Sequence, residues 1–177
     1  MFRKAGKEDI EQIVKLYDQV HTENEAGRMT TQWVRGIYPT RETAEASVRQ
    51  GDMFVEEEMA ETGEKQIVAA ARINQEQLPD YDHAAWEYDA PEDQVMVLHT
   101  LVVSPAEKGK GYGSAFVSFY ETYAREHGCR FLRMDTSVKN LAARALYKKL
   151  GYKEVSVISC IFNEIRQMDL VCLEKRL

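Results

Sequence analysis

Two hydrophobic spacings alternate along the chain, and they lay out its elements in order. After a short β-compatible start at Phe2–Lys4, residues Ile10, Ile13, Val14, Tyr17 and Val20 recur every three to four positions and predict an amphipathic helix. Trp33, Val34 and Ile37 suggest a shorter second helix ending before Pro39, and Thr40 is a candidate N-cap for another over residues 41–49, broken by Gly51-Asp52. Met53–Met59 and residues 66–73 then read as strands, joined through Glu61-Thr62-Gly63-Glu64 into a hairpin. Residues 74–94 are polar and aromatic without a clear period, and a connection this long in a compact domain is functional or mobile.

The second half is more regular. Val95–Val103 is the most strand-like run and stops at Ser104-Pro105. The turn Lys108-Gly109-Lys110-Gly111-Tyr112-Gly113 opens a helix that carries Tyr112, Ala115, Phe116, Phe119, Tyr120 and Tyr123 on one face and ends at Gly128. Residues 131–136 form a strand, 140–150 a helix closed by Gly151, and 152–161 and 168–173 the last strands.

Composition narrows the function. A length of 177 residues suits one domain, 1–177, with a single core. With 23 basic against 29 acidic side chains the formal net charge is −6, which disfavours nucleic acid as a partner because phosphate neutralisation needs a concentrated Lys/Arg field. Cys129, Cys160 and Cys172 are odd in number and lack metal-ligand spacing, so neither a disulfide framework nor a metal site is expected. The start of the chain lacks an apolar stretch after its positive charges, and Val95–Val103 is too short to span a bilayer. A cytoplasmic protein without a membrane partner is the expectation.

The turn at 108–113 is suited to an anion. Glycines at 109, 111 and 113 remove Cβ atoms that would hold a ligand off the backbone, the first N–H groups of the following helix lack intrahelical partners, and Lys108 and Lys110 add charge. Two nucleotide-binding patterns fail on spacing. A dinucleotide fingerprint wants a third glycine where Ser114 or Phe116 stands, although Asp135 lies near the distance expected of its acid. A P-loop wants Ser or Thr after Gly109-Lys110, where Gly111 stands.

The 108–113 turn resembles the pyrophosphate loop Arg/Gln-x-x-Gly-x-Gly/Ala of the GNAT superfamily of acyl-CoA-dependent N-acetyltransferases, with Lys108 in the first position keeping the charge but losing the planar fork. Downstream, the run from Asn140 through Ala143, Leu146 and Tyr147 to Gly151-Tyr152 is similar to that family's Asn-x-x-Ala-x-x-Leu-Tyr-x-x-x-Gly-Phe/Tyr. The resemblance implies an α/β (α+β) fold: a mixed, mostly antiparallel sheet of six to seven strands, its central strands splayed, flanked by helices. It also implies acetyl-CoA as co-substrate, paired with the edge of the central strand at Leu101, Val102 and Val103. The Leu101 N–H would face the thioester carbonyl, and Gly109, Lys110, Gly111, Tyr112, Gly113 and Ser114 the diphosphate.

Asn140 and Ala143 would meet the cofactor arm, with an ordinary N-cap as the alternative for Asn140. Tyr147, two helical turns on, would protonate the leaving thiolate, and a core tyrosine is its alternative. His99 interrupts the central strand two residues before Leu101, on the same face by strand period, and would titrate near neutrality as the base that frees the amine; members acting on arylalkylamines are similar in placing a His there. A core histidine bonded to a carbonyl is the alternative, and Glu87 is the reserve base. Trp33, Tyr38 and the loop bearing Tyr81, Trp86 and Tyr88 are candidates for the acceptor wall. The expected activity is direct acetyl transfer to a primary amine of a small molecule, by a monomer or homodimer. Catalytically silent acyl-CoA binding, a protein or peptide amine as acceptor, and a longer acyl chain are the alternatives.

Overall fold

The computed structural model describes residues 1–60 and 63–177. Among these, seven strands form one sheet: β1 (Phe2–Lys4), β2 (Met53–Met59), β3 (Lys65–Asn74), β4 (Val95–Val103), β5 (Phe131–Ser137), β6 (Lys153–Phe162) and β7 (Ile165–Arg176). Their order is β1-β2-β3-β4-β5-β7-β6, and every neighbouring pair is antiparallel except β4 with β5. Four helices cover the sheet: α1 (Ile10–Glu25), α2 (Arg41–Gln50), α3 (Tyr112–Glu126) and α4 (Leu141–Lys149). The expected mixed, mostly antiparallel sheet flanked by helices is therefore present.

Each helix lies where its apolar stripe directs it. Ile13, Leu16, Tyr17 and Val20 of α1 pack with Val55, Ala70 and Val102 on one side of the sheet. Phe116, Val117, Tyr120 and Ala124 of α3 pack with Ala69, Ala71, Met96 and Leu132 on the other. Thr40 caps α2, its hydroxyl oxygen accepting from the Thr43 N–H at 3.4 Å while Thr43 Oγ1 accepts from the Thr40 N–H at 3.0 Å. Gly51, at φ 76°, closes that helix.

The helix expected around Trp33–Ile37 does not form. Gln32 at φ 63° and Gly36 at φ 78° interrupt any run of helical dihedrals, and the Val34 carbonyl instead accepts from both Ile37 and Tyr38 in a tight bridged turn. The hairpin turn keeps Gly63-Glu64 within the structure, whereas Glu61 and Thr62 lie outside the described residues.

Two departures from regularity shape the middle of the sheet. Pairing of β4 with β5 runs from Val95↔Phe131 to Leu98↔Met134 and stops, although both strands continue. Beyond it β5 follows β7 as far as Ser137↔Leu170, and β4 follows β3 as far as Val103↔Ala69. The second departure lies in β4 itself, where the register with β3 shifts between Ala70↔Val102 and Arg72↔His99, and Thr100 sits at φ 53°. An extra residue on one strand bends it and increases its twist, which turns β4 away from β5 and opens a wedge between them.

Candidate active site

The wedge opens into a cavity of about 1280 Å³ that passes from the α3–α4 side of the sheet to the α1–α2 side. At one end stand Lys108, Gly109 and the first turn of α3. Gly111 caps that helix at φ 91°, and Ala115 is its first bonded amide, reaching the Gly111 carbonyl at 2.9 Å. The N–H groups of Tyr112, Gly113 and Ser114 are thus the orphan donors of the first turn, and all three residues line the cavity. A Cβ at Gly111 would meet nothing within 4 Å, so that loop is open space toward the cavity, whereas one at Gly113 would come 3.1 Å from Leu146 Cδ2, so glycine there lets α3 approach α4. Lys108 lines this end; the Lys110 ammonium pairs with Glu107 at 2.7 Å, and Lys110 does not line the cavity.

Along the wedge, the β5-facing backbone of β4 from His99 to Val103 has no strand partner, and Leu101, Val102 and Val103 all line the cavity. Asn140 caps α4, its Oδ1 accepting from the Ala143 N–H at 3.3 Å and its Nδ2 donating to Thr136 Oγ1 at 3.2 Å. The N-cap alternative thus describes the contacts Asn140 makes within the protein. Tyr147 is 7% exposed, and burial, reinforced by the negative charge of Asp135, keeps its phenol protonated far above the usual range.

The bulge at Thr100 overturns one inference from strand periodicity. Met96 and Leu98 pack toward α3, and so do Leu101 and Val103, whereas His99 lies opposite Arg72 and shares the far side with Val102 and Ala70. His99 and Leu101 therefore point to opposite faces. His99 does line the cavity, with Nε2 at 3.0 Å from Asn74 Oδ1. Burial first, and the Arg72 guanidinium second, lower its pKa to about 4, so it does not titrate near neutrality as expected.

The α1–α2 end is walled by Trp33 and Tyr38, joined by Phe162. Tyr38 meets Trp33 edge-on at 5.9 Å and Phe162 at 5.0 Å, and its hydroxyl shares a hydrogen bond with Thr100 Oγ1. Burial pushes the Tyr38 phenol up to about 12. The 74–94 loop contributes less than expected. Arg133 lies over the Trp86 ring at 4.3 Å and bonds Glu174, Gln77 and the Tyr88 carbonyl, pinning that loop against the sheet away from the cavity. Glu87 pairs with Lys153 at 2.7 Å and does not line the cavity.

Sequence reasoning passed over Asp135 as a site residue. It lies in the wedge on β5, lines the cavity, and accepts from the Tyr81 hydroxyl at 2.7 Å on Oδ2. Burial raises its pKa from 3.8 to about 6. The available signal was the alternation Arg133, Asp135 inside a strand, two charges on one face where apolar residues were expected. Among the described residues, no cluster of His, Cys, Asp and Glu has the makings of a metal site, and no helix is long and apolar enough to cross a membrane.

Residues 11–152 match the Acetyltransferase (GNAT) family. A 73-residue stretch is 30% identical to an uncharacterized N-acetyltransferase of Methanocaldococcus jannaschii, covering 41% of this chain and 32% of that protein, so the match spans about a third of the relative's length. The fold is shared with a GNAT-family acetyltransferase of Streptococcus agalactiae at TM-score 0.79 and 19% identity, over 100% of this chain and 95% of that one. It is also shared with yncA of Salmonella typhimurium, solved with its cofactor acetyl-CoA, at TM-score 0.66 and 19% identity over 100% and 93% of the two chains. At such identities the likeness to solved structures speaks for the fold alone.

Proposed function

The chain belongs to the GNAT family of acetyltransferases, and on that premise we propose that it transfers the acetyl group of acetyl-CoA to the primary amine of a small molecule, with both substrates bound at once. The observation that carries this reading is the wedge: β4 and β5 part after Leu98 and Met134, leaving unpaired strand edge beside a cavity that reaches an open helix N-terminus. An extended amide-bearing arm would add to that edge by strand pairing, and the N–H groups of Tyr112, Gly113 and Ser114, with Lys108 beside them, would hold a diphosphate.

When bound, acetyl-CoA supplies an activated acyl group on sulfur. The chain's residues do the rest. The Leu101 N–H would donate to the thioester oxygen, where negative charge grows as the amine attacks, and a donor fixed in the backbone needs no reorganisation. Tyr147, kept protonated by burial, would give its proton to the departing sulfur. No cysteine lines the cavity among the described residues, and burial raises Cys129, Cys160 and Cys172 above the ordinary thiol range, which favours direct transfer over an acylated cysteine.

The test is to incubate the protein with acetyl-CoA and a mixed primary-amine library, following CoA thiol release and product mass. An acetylated small amine with stoichiometric thiol is expected. CoA binding without thiol release across the library would replace this reading with the silent acyl-CoA-binding one, and acetylation confined to peptides would move the acceptor to a protein amine.

A further inference from the structure

Asp135 is a carboxylate without a cation. Three buried acids are matched: Asp9 with Arg3 at 2.6 Å, Glu57 with Arg3 at 2.7 Å and Lys65 at 2.8 Å, and Glu174 with Arg133 at 3.1 Å. Glu56 on β2 shares the want of a cation but does not line the cavity, which Asp135 does. The groups facing Asp135 are Tyr81 from the turn after β3, Tyr38 from the loop before α2, Tyr147 from α4, Cys172 from β7 and Cys160 from β6. All are neutral near pH 7. Tyr81 holds Oδ2, and among the described residues nothing donates to Oδ1. An enclosed carboxylate with one oxygen free and no counter-charge is costly unless something cationic arrives from the cavity it lines.

The surrounding wall limits what that cation carries. Trp33, Tyr38, Phe162, Leu78, Met168 and Leu170 give the cavity an apolar stretch of wall, half of it aromatic, set among polar residues such as Thr31 and His99. Of the arginines lining the cavity among the described residues, Arg72 is already neutralised by Asp52 at 3.5 Å and by Glu76, and Arg28 by Glu23 at 2.6 Å, while Glu42 and Glu164 add negative charge. An acceptor with a carboxylate or phosphate finds no unmatched arginine there.

From this juxtaposition we infer that Asp135 receives the acceptor's ammonium group and takes its first proton, and that the acceptor is a primary amine on an aromatic or branched apolar body without an anionic group of its own. The inference rests on the acetyltransfer reading and names its substrate class. The proton count closes. The ammonium and acetyl-CoA give the amide, the CoA thiol and one free proton. Asp135 removes the first proton and passes it through the cavity to solvent. The nitrogen lone pair then forms the C–N bond as the C–S bond breaks. Tyr147 protonates the sulfur, and the second proton leaving nitrogen replaces the one Tyr147 gave.

The experiment compares 2-phenylethylamine with phenylalanine, which adds a carboxylate to the same body. Each is titrated calorimetrically into wild type, Asp135→Asn and Tyr81→Phe, with and without CoA, and turnover with acetyl-CoA is followed against pH. Wild type should bind phenylethylamine at least tenfold more tightly than phenylalanine, and Asp135→Asn should lose at least tenfold of that binding while holding CoA as before. The acid limb of kcat/KM should fall near pH 6 in wild type, as the raised pKa of Asp135 requires, and move upward in Tyr81→Phe, which removes the hydrogen bond that favours the ionised form. Equal amine binding by wild type and Asp135→Asn, no amine binding by wild type, or phenylalanine bound as well as phenylethylamine would overturn the inference. Amine and CoA binding without turnover would overturn acetyl transfer instead and leave the amine site standing.

Discussion

Replacing Asp135 by Asn should stabilise the protein while impairing its chemistry. Burial lifts this carboxyl from 3.8 to about 6, so at neutral pH the folded state holds a charge that the unfolded chain carries more comfortably. A displacement of that size corresponds to about 3 kcal/mol. The folded pKa lies above the unfolded one, so the stability Asp135 contributes is complete below pH 3.8 and is lost as pH rises through about 6. An amide of the same shape keeps the Tyr81 hydroxyl as donor to its oxygen and carries no charge, but it leaves an N–H₂ facing the cavity, so roughly half the gain should survive. At about 2–4 °C per kcal/mol for a chain of this size, the variant should melt roughly 3–6 °C above wild type near pH 7.5. The difference should fall with pH and reverse near pH 4, where Asp135 is neutral in the folded protein and only the cost of the unmet N–H₂ remains. Thermal denaturation followed by circular dichroism at a series of pH values measures this directly. A variant that melts at or below the wild-type temperature at neutral pH, or a gain that persists undiminished in acid, would refute the claim that Asp135 is a partly buried charge without a counter-ion.

Tyr147→Phe removes the proposed acid and should lower kcat roughly a hundredfold with CoA affinity by calorimetry unchanged; equal turnover in the two proteins takes Tyr147 out of the mechanism. Gly111→Ala places a side chain at φ 91° in open space, so about 1–2 kcal/mol of backbone strain rather than a clash should loosen the loop. CoA affinity should then fall about tenfold while the melting temperature moves by a few degrees at most, and unchanged affinity would show that this loop does not hold the diphosphate. Arg133→Met leaves Glu174 charged and unpaired at 2% exposure, which should cost about 3–5 kcal/mol in chemical denaturation. Adding Glu174→Gln should recover most of that loss, and a double variant as unstable as the single one would mean that Arg133 acts through packing on Trp86 rather than through charge.

Much of this architecture is written locally. Apolar residues at helical spacing identify α1 and α3 because a stripe of Ile13, Leu16, Tyr17 and Val20, or of Phe116 and Tyr120, has to be buried whatever lies opposite. Thr40 and Asn140 mark helix starts because their side chains reach amides three residues on, and the glycine turn before α3 is visible because its backbone needs positive φ at Gly109 and Gly111. Residues 34–38 read as a helix in sequence because three apolar residues fit a helical stripe, while the positive φ of Gln32 and Gly36 is a property of their tertiary setting.

What the chain alone determined, then, was the order of its elements, the phosphate-suited turn and the helix bearing Asn140 and Tyr147, all set by contacts within a few residues. The tertiary structure decided which side chains meet. One added residue at Thr100 reversed the alternation of β4 and sent His99 and Leu101 to opposite faces, a displacement that strand period cannot register because it arises from pairing with β3. Glu87 went to Lys153 and Lys110 to Glu107, partners distant or local that composition does not choose. Asp135 became a lone charge in the wedge because the sheet surrounds it with neutral groups from five separate segments. The free energy of a buried carboxylate depends on everything around it, and that surrounding exists only once the chain has folded.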